Sequence, residues 1–112
     1  MNNTIAHQKL VDDVLFHIGS TKYCRVWKQV NGVFKTVHGD RTVRVGLPGM
    51  ADISGIIFRT GKRLEIECKT GSGALTKDQK KWQAMILAYD GIYICARDYE
   101  NPLQLVKHLA GF

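Results

Sequence analysis

Between Arg63 and Lys69 the chain alternates with a period of two, with Leu64, Ile66 and Cys68 on one side and Glu65, Glu67 and Lys69 on the other. Successive side chains of a β-strand leave opposite faces of the sheet, whereas a helix would scatter these six residues around its circumference. The segment is therefore expected to be a strand with one apolar face and one face that carries three charges over roughly 13 Å.

The residues before it supply a partner. Ala51 to Phe58 reads as a second strand, entered through the turn Leu47-Pro48-Gly49 and joined to the first by Arg59-Thr60-Gly61-Lys62. A symmetric hairpin centred between Thr60 and Gly61 pairs Asp52 with Lys69 and Ser54 with Glu67. Opposed Cβ atoms then lie roughly 5 Å apart and diagonal ones roughly 7 to 8 Å. Asp52 and Glu67 are thus expected to reach one divalent cation with Lys69 beside it. The cluster depends on the register, because a one-residue bulge would turn one strand's set to the other face.

Around this pair the sequence reads as helix, strands, then helix, strand, helix. Leu10, Val11, Val14, Leu15 and Ile18 recur at helical spacing from Thr4 to Ile18, with Asn3 or Thr4 as cap and Gly19 as stop. Lys22 to Val30 is rich in β formers, and Asn31-Gly32 predicts a tight hairpin to Val33–Val37. His38 to Pro48 reads as a basic connection. After a Gly71-Ser72-Gly73 loop, Thr76 and Gln79 form a capping box that opens a helix to about Asp90, with Trp82, Met85, Ile86 and Tyr89 as its apolar stripe. Gln79 lies three residues before Trp82 on that stripe, so it is aimed inward near a helix start that attracts phosphate. Ile92 to Arg97 is a short strand, and Asn101-Pro102 caps a last helix with Leu103, Val106 and Leu109 inward. The pattern predicts an α/β fold with a central mixed sheet flanked by helices, and residues 1–112 are read as one domain.

Composition agrees. A chain of 112 residues with 45% apolar and 23% charged residues makes one compact unit. Its opening Met-Asn-Asn-Thr is unlike a secretory signal, and no apolar run is long enough to span a bilayer, so a cytosolic location is expected. Cys24, Cys68 and Cys95 are an odd count without a C-x-x-C pair, which argues against a disulfide framework or thiolate zinc site. Sixteen Lys and Arg against ten Asp and Glu give a formal charge of +6, which favours a polyanionic partner.

Asp52, fourteen further residues and then Glu67-Cys68-Lys69 resemble the D…(D/E)-x-K pattern of the PD-(D/E)XK nuclease superfamily. The runs Val45-Gly46-Leu47-Pro48-Gly49-Met50-Ala51-Asp52-Ile53, Leu64 to Thr70 and Ala74 to Gln79 resemble, in order and spacing, its virus-type replication-repair nuclease (VRR-NUC) family, and the resemblance spans about Cys24 to Leu109. It implies a restriction-endonuclease-like core and Mg²⁺- or Mn²⁺-dependent endonucleolytic cleavage of DNA that leaves a 5′-phosphate. It further implies that Asp52 and Glu67 bind the metal, with the carbonyl of Cys68 as a further ligand. Lys69 would polarise the attacking water and Gln79 would support the site. Stand-alone members of the family are typically phage proteins that act as homodimers on branched DNA such as four-way (Holliday) junctions. Two departures stand out: Ala51 replaces the Pro usual before the motif Asp, and the first helix lacks the family's Glu, for which His7, Gln8, Asp12 or Asp13 would have to substitute.

Competing readings are simpler. Glu67 and Lys69 form an ordinary solvated strand pair in one of them. In another the chain is a DNA-binding module that keeps a nuclease-like fold without cutting, and in a third it is a small basic protein with no nucleic-acid role. The loop Gly71-Ser72-Gly73 lacks the third Gly of a dinucleotide fingerprint. Lys77, Lys80 and Lys81 are either a solvated helix face or a phosphate-contacting edge, and Arg41 and Arg44, with Lys35, Arg25 and Lys28, are further backbone-tracking candidates. The four His have no zinc spacing, and of them only His7 draws interest. Trp82 belongs to a core stripe, whereas Trp27, between Arg25 and Lys28, either packs or stacks on a base.

Overall fold

A computed structural model describes residues 2–112, with side chains from Thr4 onward. The element order is α1 (Asn2–Gly19), β1 (Cys24–Lys28), β2 (Gly32–Lys35), β3 (Thr42–Val45), β4 (Ile53–Ile57), β5 (Arg63–Cys68), α2 (Lys77–Ala88), β6 (Ile92–Ala96) and α3 (Asn101–Ala110). Strands β1-β4-β5-β6 form one sheet in which β1/β4 and β4/β5 are antiparallel and β5/β6 is parallel, and α2 is the crossover that a parallel pair requires. The fold is α/β, a mixed four-stranded sheet flanked by three helices and compatible with a restriction-endonuclease-like core. No described helix is long and apolar enough to cross a membrane.

Alternation along the strands divides the protein into layers. Ile53 and Ile57 of β4, Leu64, Ile66 and Cys68 of β5, and Ile92, Ile94 and Ala96 of β6 face Val11, Val14 and Ile18 of α1 and Val106 of α3. The opposite face is covered by α2, where Ile86, Trp82 and Met85 pack with Tyr93 and Ala51. Glu65 and Glu67 lie on this second face and are 0% and 3% exposed, and the Lys69 side chain beside Glu67 is largely buried, so Glu67 and Lys69 are not a solvated strand pair. A buried carboxylate needs partners, and Glu65 has them: Arg63 Nε donates to Oε2 at 2.9 Å and Trp82 Nε1 donates to Oε1 at 2.7 Å.

Several local expectations are corrected. The Asn31-Gly32 hairpin does not form. β1 pairs with β4 instead, and β2 pairs with β3 in a separate two-stranded ribbon, so the supposed connection His38–Pro48 contains a strand. Pairing with the buried strand β4 outweighs the preference of a two-residue turn. The β4/β5 register is offset by two from the symmetric hairpin, with Ile53 facing Ile66 and Ser54 facing Glu65. The loop spans four residues, closes with the Ile57 N–H to Lys62 O bond (2.9 Å), and holds Arg59 and Gly61 at φ 75° and 71°. Because the side-chain period is two, this slip keeps every residue on its expected face.

Helix ends differ too. α1 already includes Asn3 and Thr4, and the Asn3 side chain lies outside the described residues. α2 ends at Ala88, with Asp90 at φ 65° before Gly91, so Tyr89 is 82% exposed instead of on the apolar stripe. Asn101 is the first residue of α3, and Asp98 does the capping, its Oδ1 accepting the N–H groups of Glu100 (3.0 Å) and Asn101 (2.8 Å). Those N–H donors pull the Asp98 carboxyl below its ordinary range. Leu109 is 50% exposed, and Leu103 and Ala110 accompany Val106 at the core.

Candidate functional site

Asp52 sits one residue before β4, its carbonyl accepting the N–H of Gln29 at 2.8 Å. One step outward from the Ile53–Ile66 pair, the register brings it across from Glu67. Asp52 Oδ2 accepts the N–H of Cys68 at 2.8 Å, so the carboxylate is bonded to the backbone at the end of the ladder. The same oxygen lies 3.1 Å from Nε2 of His7, which α1 extends over this end of the sheet.

Glu67 is placed by β5 and reached from α2. Gln79 Nε2 donates to its Oε2 at 3.2 Å, and Lys69 Nζ lies 3.8 Å from the same atom. The capping box orients Gln79: Thr76 N–H donates to Gln79 Oε1 at 2.9 Å, and Gln79 N–H donates to Thr76 Oγ1 at 3.2 Å. Glu67 Oε1 is buried, with no hydrogen-bond partner among the described residues. Burial first, and the charge of Asp52 second, push the Glu67 carboxyl up to about 8 against the lowering pull of the Lys69 ammonium.

The loop between Leu47 and Met50 docks the start of α2. Met50 N–H returns to Leu47 O at 3.2 Å, and Gly49, at φ 82°, lies so close to α2 that a Cβ there would stand 2.2 Å from the carbonyl oxygen of Asp78. Pro48 and Gly49 thus form a turn that only Gly can complete. Across the site, Arg97 holds the Gly71–Gly73 loop through bonds to Gly71 O (3.3 Å) and Gly73 O (2.6 Å). The result is an open cleft of about 750 Å³ lined by His7, Asp52, Glu67, Lys69, Gln79 and that loop.

The expected residues Asp52, Glu67, Lys69 and Gln79 therefore converge. Cys68 contributes through its N–H; its side chain is in the core, where burial and then the two neighbouring carboxylates push the thiol up. Of His7, Gln8, Asp12 and Asp13, His7 alone reaches the cluster. Gln8 bonds to Asp12 (3.0 Å), Asp12 also faces Lys28 (3.7 Å), and Asp13 pairs with Lys9 (2.8 Å). His7, Asp52 and Glu67 each offer a ligand atom, and these atoms lie within 4.8 Å of one another. An imidazole and two carboxylates, one of which carries the unpartnered buried oxygen, suit a divalent cation.

The basic residues expected to contact DNA do not line the cleft. Lys77, Lys80 and Lys81 are exposed along α2, Arg41 is exposed in the loop between β2 and β3, and Arg44 is exposed on β3. Trp27 is 41% exposed on β1. Two site residues were not fixed by the sequence. His7 had a signal, since 7, 11, 14 and 18 form one helical stripe whose other members are buried. Arg97 had none, because its loop partners lie more than twenty residues away.

No protein-family model matches the chain, and comparison with curated proteins yields no match.

Proposed function

We propose that the protein is a metal-dependent endodeoxyribonuclease that hydrolyses phosphodiester bonds in branched DNA such as a four-way junction. It would act in the cytoplasm, that of the host if it is phage-encoded, as a homodimer whose two sites make paired nicks. The observation that carries this reading is the convergence of Asp52, Glu67 and Lys69 in one cleft, with a carboxylate oxygen of Glu67 buried and without a partner among the described residues. Net charge of +6 supports a polyanionic substrate.

Hydrolysing a phosphodiester requires neutralising a pentacoordinate dianion and activating a water. A bound Mg²⁺ or Mn²⁺ supplies Lewis acidity toward the phosphate and a lowered water pKa. Asp52 and Glu67 would hold it. The Cys68 N–H keeps Asp52 from rotating away, and Gln79 does the same for Glu67. Lys69, largely buried beside Glu67, presents its ammonium where it can orient the attacking water and offset charge on the phosphate. Lys77, Lys80 and Lys81 would steer the DNA backbone toward the cleft.

The decisive experiment incubates a labelled four-way junction and a linear duplex with the protein, with and without Mg²⁺ or Mn²⁺. Metal-dependent 5′-phosphate products are expected. Asp52→Asn and Lys69→Ala should each lower the cleavage rate by about 100-fold or more while leaving fold and DNA binding intact. A gel shift without nicked product identifies a binding module instead, and retained turnover in either variant removes the site assignment.

A further inference from the structure

We propose that His7 is the third ligand of the cation held by Asp52 and Glu67, and that its imidazole makes the centre prefer Mn²⁺ and similar borderline divalent ions over Mg²⁺. The purpose of the site rests on the nuclease reading; the ligand set rests on the geometry around α1.

His7 is delivered by a fixed element. Val11, Val14 and Ile18 continue its stripe and are buried against the sheet, so the position of its ring follows from core packing. Its Nε2 lies 3.1 Å from Asp52 Oδ2, and neighbouring ligands on an octahedral ion with bonds of roughly 2.1 Å are themselves separated by about 3 Å. A cation would take the place of the hydrogen bond between these two atoms, with the neutral imidazole ligating through Nε2 and carrying its N–H on Nδ1. Glu67 completes the set, since its ligand atom falls within 4.8 Å of the other two. An independent observation points to the same occupant: Glu67 is only 3% exposed, lines the cleft, and has no donor to Oε1 among the described residues. A hydrogen-bonded His–Asp pair alone would leave that oxygen unsatisfied, whereas a cation satisfies it.

The ligand types then decide among metals. Mg²⁺ favours all-oxygen shells and keeps much of its water, whereas an imidazole nitrogen strengthens binding of transition ions. Compared with a third carboxylate, the imidazole of His7 brings one negative charge and one hard oxygen fewer to the centre. Both changes weaken Mg²⁺ relative to Mn²⁺.

The test reads the metal directly. Mn²⁺ is titrated into the wild-type protein and the His7→Gln and His7→Glu variants, with free ion followed by electron paramagnetic resonance, Mg²⁺ as competitor, and ¹⁴N coupling to bound Mn²⁺ recorded. Gln retains an amide donor toward Asp52 without an imidazole, and Glu restores a carboxylate. The wild type should bind Mn²⁺ at least about tenfold tighter than Mg²⁺ and show nitrogen coupling. Both variants should lose the coupling, and His7→Glu should narrow the Mn²⁺/Mg²⁺ ratio. Bound Mn²⁺ without nitrogen coupling in the wild type, or coupling that persists in His7→Gln, overturns the role of His7 and leaves the nuclease reading standing. Absence of any Mn²⁺ binding together with absence of cleavage overturns both. The wild-type spectrum decides the ligand even if a variant fails to fold.

Discussion

Gln79 joins two structures that would otherwise be independent: its Oε1 accepts the Thr76 N–H that opens α2, and its Nε2 donates to Glu67 Oε2 at 3.2 Å on β5. One amide is both a helix cap and the support of a carboxylate in the cleft. Thr76→Ala and Gln79→Ala should each cost about 1 kcal/mol of stability through the cap. Only Gln79→Ala also frees Glu67, so metal affinity and cleavage should fall by roughly 10- to 100-fold in that variant and much less in Thr76→Ala. Thermal unfolding beside metal titration separates the two roles.

Glu67 makes the metal-free protein sensitive to pH. Its folded carboxyl is raised to about 8 from an ordinary value of 4.5, so between those limits the folded state holds a proton that the unfolded state has lost. The sign follows: its contribution to stability is fully present below about pH 4.5 and is lost as pH rises through about 8. Glu67→Gln should remove that decline, making the variant more stable than wild type at pH 8 to 9 in chelator. Saturating Mn²⁺ should restore wild-type stability there and leave the variant nearly unchanged. Denaturant melts across this pH range provide the check.

Gly49 has no room for a side chain. A Cβ would lie 2.2 Å from Asp78 O, 2.5 Å from Asp78 C and 2.9 Å from Gln79 N, at a φ of 82° that L residues adopt at a cost. Gly49→Ala should therefore destabilise the fold by roughly 1–3 kcal/mol and displace the first turn of α2. Since that turn carries Gln79, cleavage at a temperature where the variant remains folded should also drop. Full activity in a folded Gly49→Ala protein would show that the loop does not position the site.

The lysines of α2 should matter for DNA affinity and not for chemistry. Replacing Lys77, Lys80 and Lys81 together by Ala should weaken binding to junction and duplex alike, and flatten the dependence of log K on log salt by roughly 1 for each phosphate no longer neutralised. Cleavage at saturating DNA should stay near wild type. Fluorescence anisotropy across a salt series measures the slope.

Much of this architecture was legible in the residues. Period-two alternation from Leu64 to Lys69 placed Glu65, Glu67 and Lys69 on one face whatever the exact register, because the observed slip is an even number. The Thr76/Gln79 box and the stripe of Val11, Val14 and Ile18 are local patterns with local causes, and both are present. Long-range competition was not legible. Asn31-Gly32 is an adequate hairpin turn, yet β1 gains more by pairing with β4, and no residue near Asn31 records that alternative. Tyr89 keeps its helical spacing, but α2 ends one residue before it.

The amino-acid order by itself determined an α/β chain with two carboxylates and an ammonium on neighbouring strands, since alternation and capping act over a few residues and need no distant partner. Only the tertiary structure decided that Glu67 is buried beneath α2, that Arg97 braces the Gly71–Gly73 loop, and that His7, 45 positions from Asp52, closes the cluster. Those relations arise where α1 and α2 pack against opposite faces of one sheet, and packing joins residues that no periodicity connects.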